Sequence, residues 1–164
     1  MRVAGSIEIG APIETIWAQV SDPGRYLHFM AGVTRWEVEG DQRTGLGARY
    51  RMLMRVRSAE IGGLIEVVES CAPTDLAWTS VLGIDQRGRW RLRARGETRT
   101  QVEFRLAYGV AGSGIPGWIA ERLAAGTVQD NIRHSLQQLK RQVEHEQLRS
   151  AAAERRSLRA GSST

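Results

Sequence analysis

The sequence predicts an α+β chain: a curved antiparallel sheet of seven strands wrapped around a long C-terminal helix, with two short helices after the first strand. Three observations carry this. Val128, Ile132, Leu136, Leu139 and Val143 recur at spacings of three and four, one face of a helix expected from about Pro116 to Gln147. Proline is tolerated in a first helical turn, where its missing N–H would have no intrahelical partner. Between Ile7 and Val110 nearly everything reads as strand, much of it alternating apolar and charged residues. A lone amphipathic helix after a run of strands has only their sheet against which to bury its apolar stripe.

The elements follow in order. Val3 to Ile9 alternates, with Ile7 and Ile9 on one face, and is the first strand. Ala11-Pro12 ends it. Ile13, Ile16, Trp17 and Val20 then fall at helical spacing, and Asp22-Pro23-Gly24 is a turn. Arg25 to Met30 reads as a second short helix whose apolar contacts are Tyr26, Phe29 and Met30. The two helices lack the polar recognition face that DNA reading needs.

Thr34 to Glu39 is the second strand, with Trp36 and Val38 on one face. The third shows the clearest alternation: Ala48, Tyr50, Met52, Met54 and Val56 against Arg49, Arg51, Arg55 and Arg57, with Leu53 the exception. Such a strand has one buried and one wet face. Ile61 to Glu69 is the fourth, and Gly62-Gly63 predicts a bulge or bend in it. Leu76 to Leu82 is the fifth, with Leu76, Trp78 and Ser80 on one side. Gly88 to Ala94 is the sixth, setting Trp90 and Leu92 against Arg89, Arg91 and Arg93. Thr100 to Tyr108 is the last, with Val102, Phe104, Leu106 and Tyr108 facing in. Residues 1–148 form a single domain on this reading, and 149–164 a frayed helix end and disordered tail.

Composition narrows the function classes. The chain has 164 residues, enough for one domain with a core. No apolar run approaches the length of a membrane-spanning helix, and a strand with Glu8 inside it begins almost at once where a secretory signal would stand. Cys71 is the only cysteine, so no intramolecular disulfide forms, and a reducing, cytoplasmic compartment is expected. The formal net charge is +5, and Lys140 is the only lysine among the basic residues. His28, His134 and His145 have no metal-ligand spacing with one another or with Cys71, and no phosphate loop or nucleophile elbow is present. No metal, cofactor or catalytic residue is assigned.

The inward-facing residues exceed what one helix covers, which predicts a space between sheet and helix. Its expected lining is Trp36, Tyr50, Met52, Met54, Trp78, Ser80, Trp90, Leu92, Phe104, Leu106 and Tyr108 from the strands, with Leu123, Thr127 and Asp130 from the helix. Asn131 and His134 are further polar groups on that helix. Arg49, Arg51, Arg55, Arg57, Arg89, Arg91, Arg93, Arg95, Arg99 and Arg105 share the opposite parity. Sheets that bind single-stranded nucleic acid interleave exposed aromatics with such charge. Here the aromatics lie on the other face, so a solvated face is the expected role.

The element order, with Ile7-Glu8-Ile9, Ala11-Pro12, Trp17, Ser21-Asp22, Tyr26, Trp36-Glu37-Val38, Leu76-Ala77-Trp78 and a helix ending Leu139-Lys140-Arg141-Gln142-Val143-Glu144, resembles the SRPBCC superfamily, the START-like helix-grip group described as polyketide cyclase/dehydrase and lipid transport. The resemblance covers about residues 1–147. It implies an apolar tunnel between sheet and helix, and lipid, polyketide, sterol-like or quinone-like ligands. It implies an entrance formed by Tyr26, His28, Phe29, Met30, Ile115 and Trp118. Cyclase members place arginine, tyrosine, serine or histidine inside the tunnel, whereas this chain turns its arginines outward. The expected partner is therefore a hydrophobic small molecule, bound without catalysis. The alternatives are a cyclase/dehydratase using a tunnel Tyr, His or Asp, and a regulatory or nucleic-acid-interacting protein using the arginine face. A homodimer is compatible with the sequence.

Overall fold

In the computed structural model, which describes residues 2–56, 58–109 and 125–161, the strands form one antiparallel sheet. The elements are β1 (Arg2–Ile9), α1 (Ile13–Val20), a 3-10 turn (Pro23–Arg25), α2 (Tyr26–Phe29), β2 (Val33–Glu39), β3 (Arg49–Val56), β4 (Ala59–Cys71), β5 (Asp75–Gly83), β6 (Gln86–Ala94), β7 (Thr100–Tyr108) and α3 (Ala125–Gly161). The strand order is β1-β7-β6-β5-β4-β3-β2. Every pairing joins sequence neighbours except β1 with β7, where Val3 lies opposite Leu106, Gly5 opposite Phe104 and Ile7 opposite Val102.

The alternation seen in the sequence decides which way each strand faces. Tyr50, Met52 and Val56 of β3 are buried while Arg49, Arg51 and Arg55 are exposed. Trp90 and Leu92 of β6 and Val102 and Phe104 of β7 are buried with them. Against this face α3 lays Val128, Ile132, Leu136, Leu139 and Val143, all buried. The helix comes close because β1 has a glycine beneath it. A Cβ on Gly5 would stand 2.8 Å from Leu136 Cδ1 and 2.9 Å from Ile132 Cγ2.

Helix side chains also cover the free edge of β1. Gln129 Nε2 donates to the Ala4 carbonyl (2.7 Å) and Lys140 Nζ to the Glu8 carbonyl (2.7 Å). Glu144 Oε1 accepts from the Gly10 N–H (2.9 Å). An edge strand presents unpaired backbone groups, and these contacts satisfy several of them.

Two boundaries differ from expectation. The helix continues past Gln147 to Gly161, where a frayed, disordered tail was expected. Ala151, Ala152, Ala153, Glu154, Arg155, Arg156 and Leu158 are strong helix formers, and propensity extends a helix already nucleated by its packed half. β4 spans Ala59–Cys71, longer than the expected Ile61 to Glu69. Its register shifts lie between Leu64 and Ile65 and between Val67 and Glu69, just after the glycine pair. The expected helix start at Pro116 lies outside the described residues.

Candidate functional site: the gap between sheet and helix

Among the described residues, side chains between sheet and α3 border two small apolar gaps. One is bounded by Met30, Val33, Trp36, Met52, Met54, Trp78, Phe104, Leu106, Val128, Asn131, Ile132 and Ser135; the other by Met52, Met54, Ile61, Ile84, Leu106, Tyr108 and Val128. Gln86 borders both. Each has a volume of about 20 Å³, room for about one water. Met52, Met54, Leu106 and Val128 are common to both and form the partition. A methionine side chain has three rotatable bonds, so rotation of Met52 and Met54 would join the gaps without moving the backbone.

The aromatic wall is built in layers. Tyr26 stacks on Trp36 with centroids 4.0 Å apart, and Trp78 meets Trp36 edge-on at 5.6 Å. Phe104 lies 5.8 Å from Trp78 and 4.3 Å from Trp90. Trp78 keeps its position because β6 places Gly88 opposite it. A Cβ there would overlap the Trp78 indole at Cζ2.

Polar groups in this wall are few, and several have no partner. The Nε1–H groups of Trp36 and Trp78 are buried without a hydrogen bond. A buried indole N–H usually finds one. The Trp90 N–H is also unpaired, although it lies toward the Tyr26 hydroxyl, which donates to the Val20 carbonyl at 2.6 Å. The Gln86 backbone N–H donates to Ser80 Oγ (3.1 Å). Its side chain is buried and borders both gaps. Ser135 is satisfied: its Oγ accepts from the Ala31 N–H (2.8 Å) and donates to the Asn131 carbonyl (2.7 Å).

The tyrosines differ in role. Burial holds the hydroxyls of Tyr26 and Tyr108 above the usual tyrosine range. Burial also pushes Tyr50 up to about 12, with Arg43 pulling the other way. Tyr50 donates to the Arg43 carbonyl at 2.9 Å, away from both gaps. Tyr108 is the one tyrosine bordering a gap. No histidine or carboxylate lines either gap among the described residues.

Of the strand residues expected to line a space, Trp36, Met52, Met54, Trp78, Phe104, Leu106 and Tyr108 come together at the two gaps. Trp90 and Leu92 are fully buried core outside both linings. Tyr50 and Ser80 also fall outside them, with Ser80 Oγ 3.3 Å from Asp85 Oδ1 near the β5–β6 turn. Asp130 is corrected: it is exposed and paired with Arg133 at 3.1 Å, because a helix turns it about 100° away from Asn131. Thr127 is half-buried beside the lining.

The expected entrance is corrected as well. Tyr26 and Phe29 are core residues, 2% and 0% exposed, and His28 faces solvent. Only Met30 of the described set borders a gap. Leu123, Ile115 and Trp118 lie outside the described residues. Gln86 was missed because the sixth strand was read from Gly88; carrying the alternation of Trp90 and Gly88 back one step finds it.

An antiparallel sheet curled around a terminal helix, with an apolar space between, is the helix-grip arrangement. The chain belongs to the polyketide cyclase/dehydrase and lipid transport family, whose model matches residues 1–144. Solved structures agree in fold. A protein from Thermus thermophilus is 22% identical with a TM-score of 0.74, covering 89% of this chain and 99% of its own. The aromatase/cyclase Zhui of a Streptomyces species is 18% identical with a TM-score of 0.72, covering 88% and 93%. A START superfamily protein from Mycobacterium smegmatis is 19% identical with a TM-score of 0.67, covering 88% and 97%. No curated protein matches the sequence. No described helix is long and apolar enough to cross a membrane, and no described group of His, Cys, Asp or Glu could hold a metal ion.

Proposed function

We propose that the chain binds a neutral, largely apolar small molecule carrying at least one acceptor oxygen, such as a ketone or quinone, between the sheet and α3. The observation that carries this is the unpaired Trp36 and Trp78 N–H groups in the wall of a gap that Gln86 also borders. An unsatisfied buried donor costs about 1–3 kcal/mol, and a ligand oxygen would recover that. The absence of charged groups from the described lining disfavours an anionic head. Apolar burial would supply most of the affinity, at about 25 cal/mol per Å². The gaps must merge to admit such a ligand, and Met52 and Met54 are the residues that would move.

Native mass spectrometry of the purified protein, followed by solvent extraction, tests this. A stoichiometric neutral adduct bearing a carbonyl or hydroxyl is expected. A clean apo mass, together with failure to bind an environment-sensitive apolar dye, would overturn it. A second reading, a cyclase or dehydratase, is favoured by one observation: Tyr108 borders a gap and burial keeps its phenol protonated. On that reading Tyr108→Phe would abolish turnover of a model poly-ketone while leaving its binding intact. Unchanged turnover would remove it.

A further inference from the structure

The outer face of the sheet carries a larger hollow than the inner one. Across β1, β7, β6 and β5 a groove of about 850 Å³ opens to solvent. Its floor is made of small residues, Ala4, Ala77, Ala107 and Thr79, and its walls of arginine. Long side chains standing beside alanines leave a recess between them.

The arginines of the outer face are not equivalent. On the β2–β4 half each described strand arginine has an acidic partner: Arg35 with Glu37 (3.7 Å), Arg49 with Glu66 (2.7 Å), Arg51 with Glu39 (3.1 Å) and Arg55 with Glu60 (3.5 Å). In the groove, Arg89 is held by Glu69, Arg91 by Asp75 (3.4 Å) and Arg105 by Glu103. Arg2 and Arg87 have no partner among the described residues, and both line the groove.

The register brings these two together. Arg2 pairs with Ala107 on β7, and Ala107 pairs with Arg87 on β6. They flank one alanine at two strand spacings, about 10 Å between backbones. Arginine side chains are long enough to meet across that span above the methyl group. A single carboxylate satisfies one guanidinium fork, whereas a phosphate monoester offers three acceptor oxygens and about −1.5 to −2 charges.

We propose that this groove is a second, independent binding site for a soluble phosphorylated small molecule, its phosphate seated between Arg2 and Arg87 above Ala107. The recess beyond that point holds the rest of the ligand over the alanine floor, and its volume is that of small-molecule sites. A recessed hollow suits a discrete molecule better than the plane of a bilayer. The one aromatic bordering the groove among the described residues, Trp78, is buried, which leaves no exposed ring on which a nucleic-acid base could stack.

Titration calorimetry with inorganic pyrophosphate tests the assignment. The wild type should bind it saturably at one site, and the Arg2→Gln/Arg87→Gln variant should bind at least about ten-fold more weakly. Arg49→Gln/Arg51→Gln removes the same charge from the paired half and should change affinity less than about two-fold. Ala107→Glu, which supplies its own carboxylate to both arginines, should abolish binding if the double variant does not fold. Equal weakening by both double variants would mean diffuse charge attraction and would overturn the site. So would no saturable binding, or binding to phosphatidylglycerol vesicles without binding to pyrophosphate. Apolar dye binding in the inner gap should be unchanged by every groove variant, which separates this result from that of the inner site.

Discussion

The inner and outer faces of β6 solve opposite problems within one strand. Inward, Gln86, Gly88, Trp90 and Leu92 enter a nearly dry interior in which the buried unpaired side-chain groups are indole N–H donors among the described residues. Outward, Arg87, Arg89, Arg91 and Arg93 meet water, and the last three are ordered by carboxylates. Asp75 alone lies within 3.8 Å of Arg89, 3.4 Å of Arg91 and 3.1 Å of Arg93. Ligand specificity therefore has a different source on each face. A dry wall with unmatched donors selects neutral acceptors, because each unmatched group is costly there. A wet arginine face selects anions, and only where its arginines lack internal partners.

The largest expected effect lies on the inner side. Gly88→Val should lower stability by about 3 kcal/mol or more, because its side chain must displace the Trp78 indole. Chemical denaturation measures it. A loss below about 1 kcal/mol would show that the indole moves freely, and the inner face would then be less rigid than the contrast with the outer one requires.

The next effect separates the faces by pH. The folded protein holds Tyr50 at about 12 against its ordinary 10.0, so between those values the folded state binds the proton more tightly than the unfolded chain. The contribution of Tyr50 to stability is therefore fully present below about pH 10 and is lost as pH rises toward 12, by at most about 1.4 kcal/mol per pH unit. Tyr50→Phe should make that part of an alkaline denaturation profile less steep, with Tyr26 and Tyr108 supplying the remainder, and an unchanged slope would assign it to those two.

Gln86→Leu isolates the polar part of the inner wall. It replaces a buried amide that borders both gaps with an apolar side chain of similar size, and should change stability by less than about 1 kcal/mol while weakening carbonyl-bearing ligands relative to matched hydrocarbons. A variant with unchanged ligand preference would leave the indoles as the only recognition groups.

The smallest effect lies outside. Burial acts to raise Asp75, but hydrogen bonds from Arg93, Thr74 and Arg91 outweigh it and hold the carboxyl below its ordinary 3.8. Its contribution is present above that value and is lost as pH falls through the lowered one. Asp75→Asn should cost about 1 kcal/mol at neutral pH and reduce the stability lost on acidification. An acid profile identical to wild type would remove Asp75 from that account.

Which elements could be read in advance follows from what each depends on. Period-two alternation in β3, β6 and β7 is a local property, and it identified both the arginine face and the aromatic face. The i, i+4, i+8 pattern from Val128 likewise named the buried face of α3. Gln86 was missed because a polar residue at an inward position looks like turn. Tyr26 and Phe29 were misplaced because an aromatic beside a turn reads equally well as an entrance or as core. Tyr26 stacks on Trp36 and Phe29 meets Trp90 edge-on, contacts made with other elements of the fold.

Local spacing and side-chain polarity were enough to predict most of the strand and helix inventory and the facing of most strands, and the resemblance pointed to the family. Tertiary packing was needed to divide the inner space at Met52 and Met54, to leave two indole N–H groups there without partners, and to set Arg2 and Arg87, both unpaired among the described residues, on either side of Ala107. These features depend on register between strands remote in the chain, and on packing volumes that no single segment encodes.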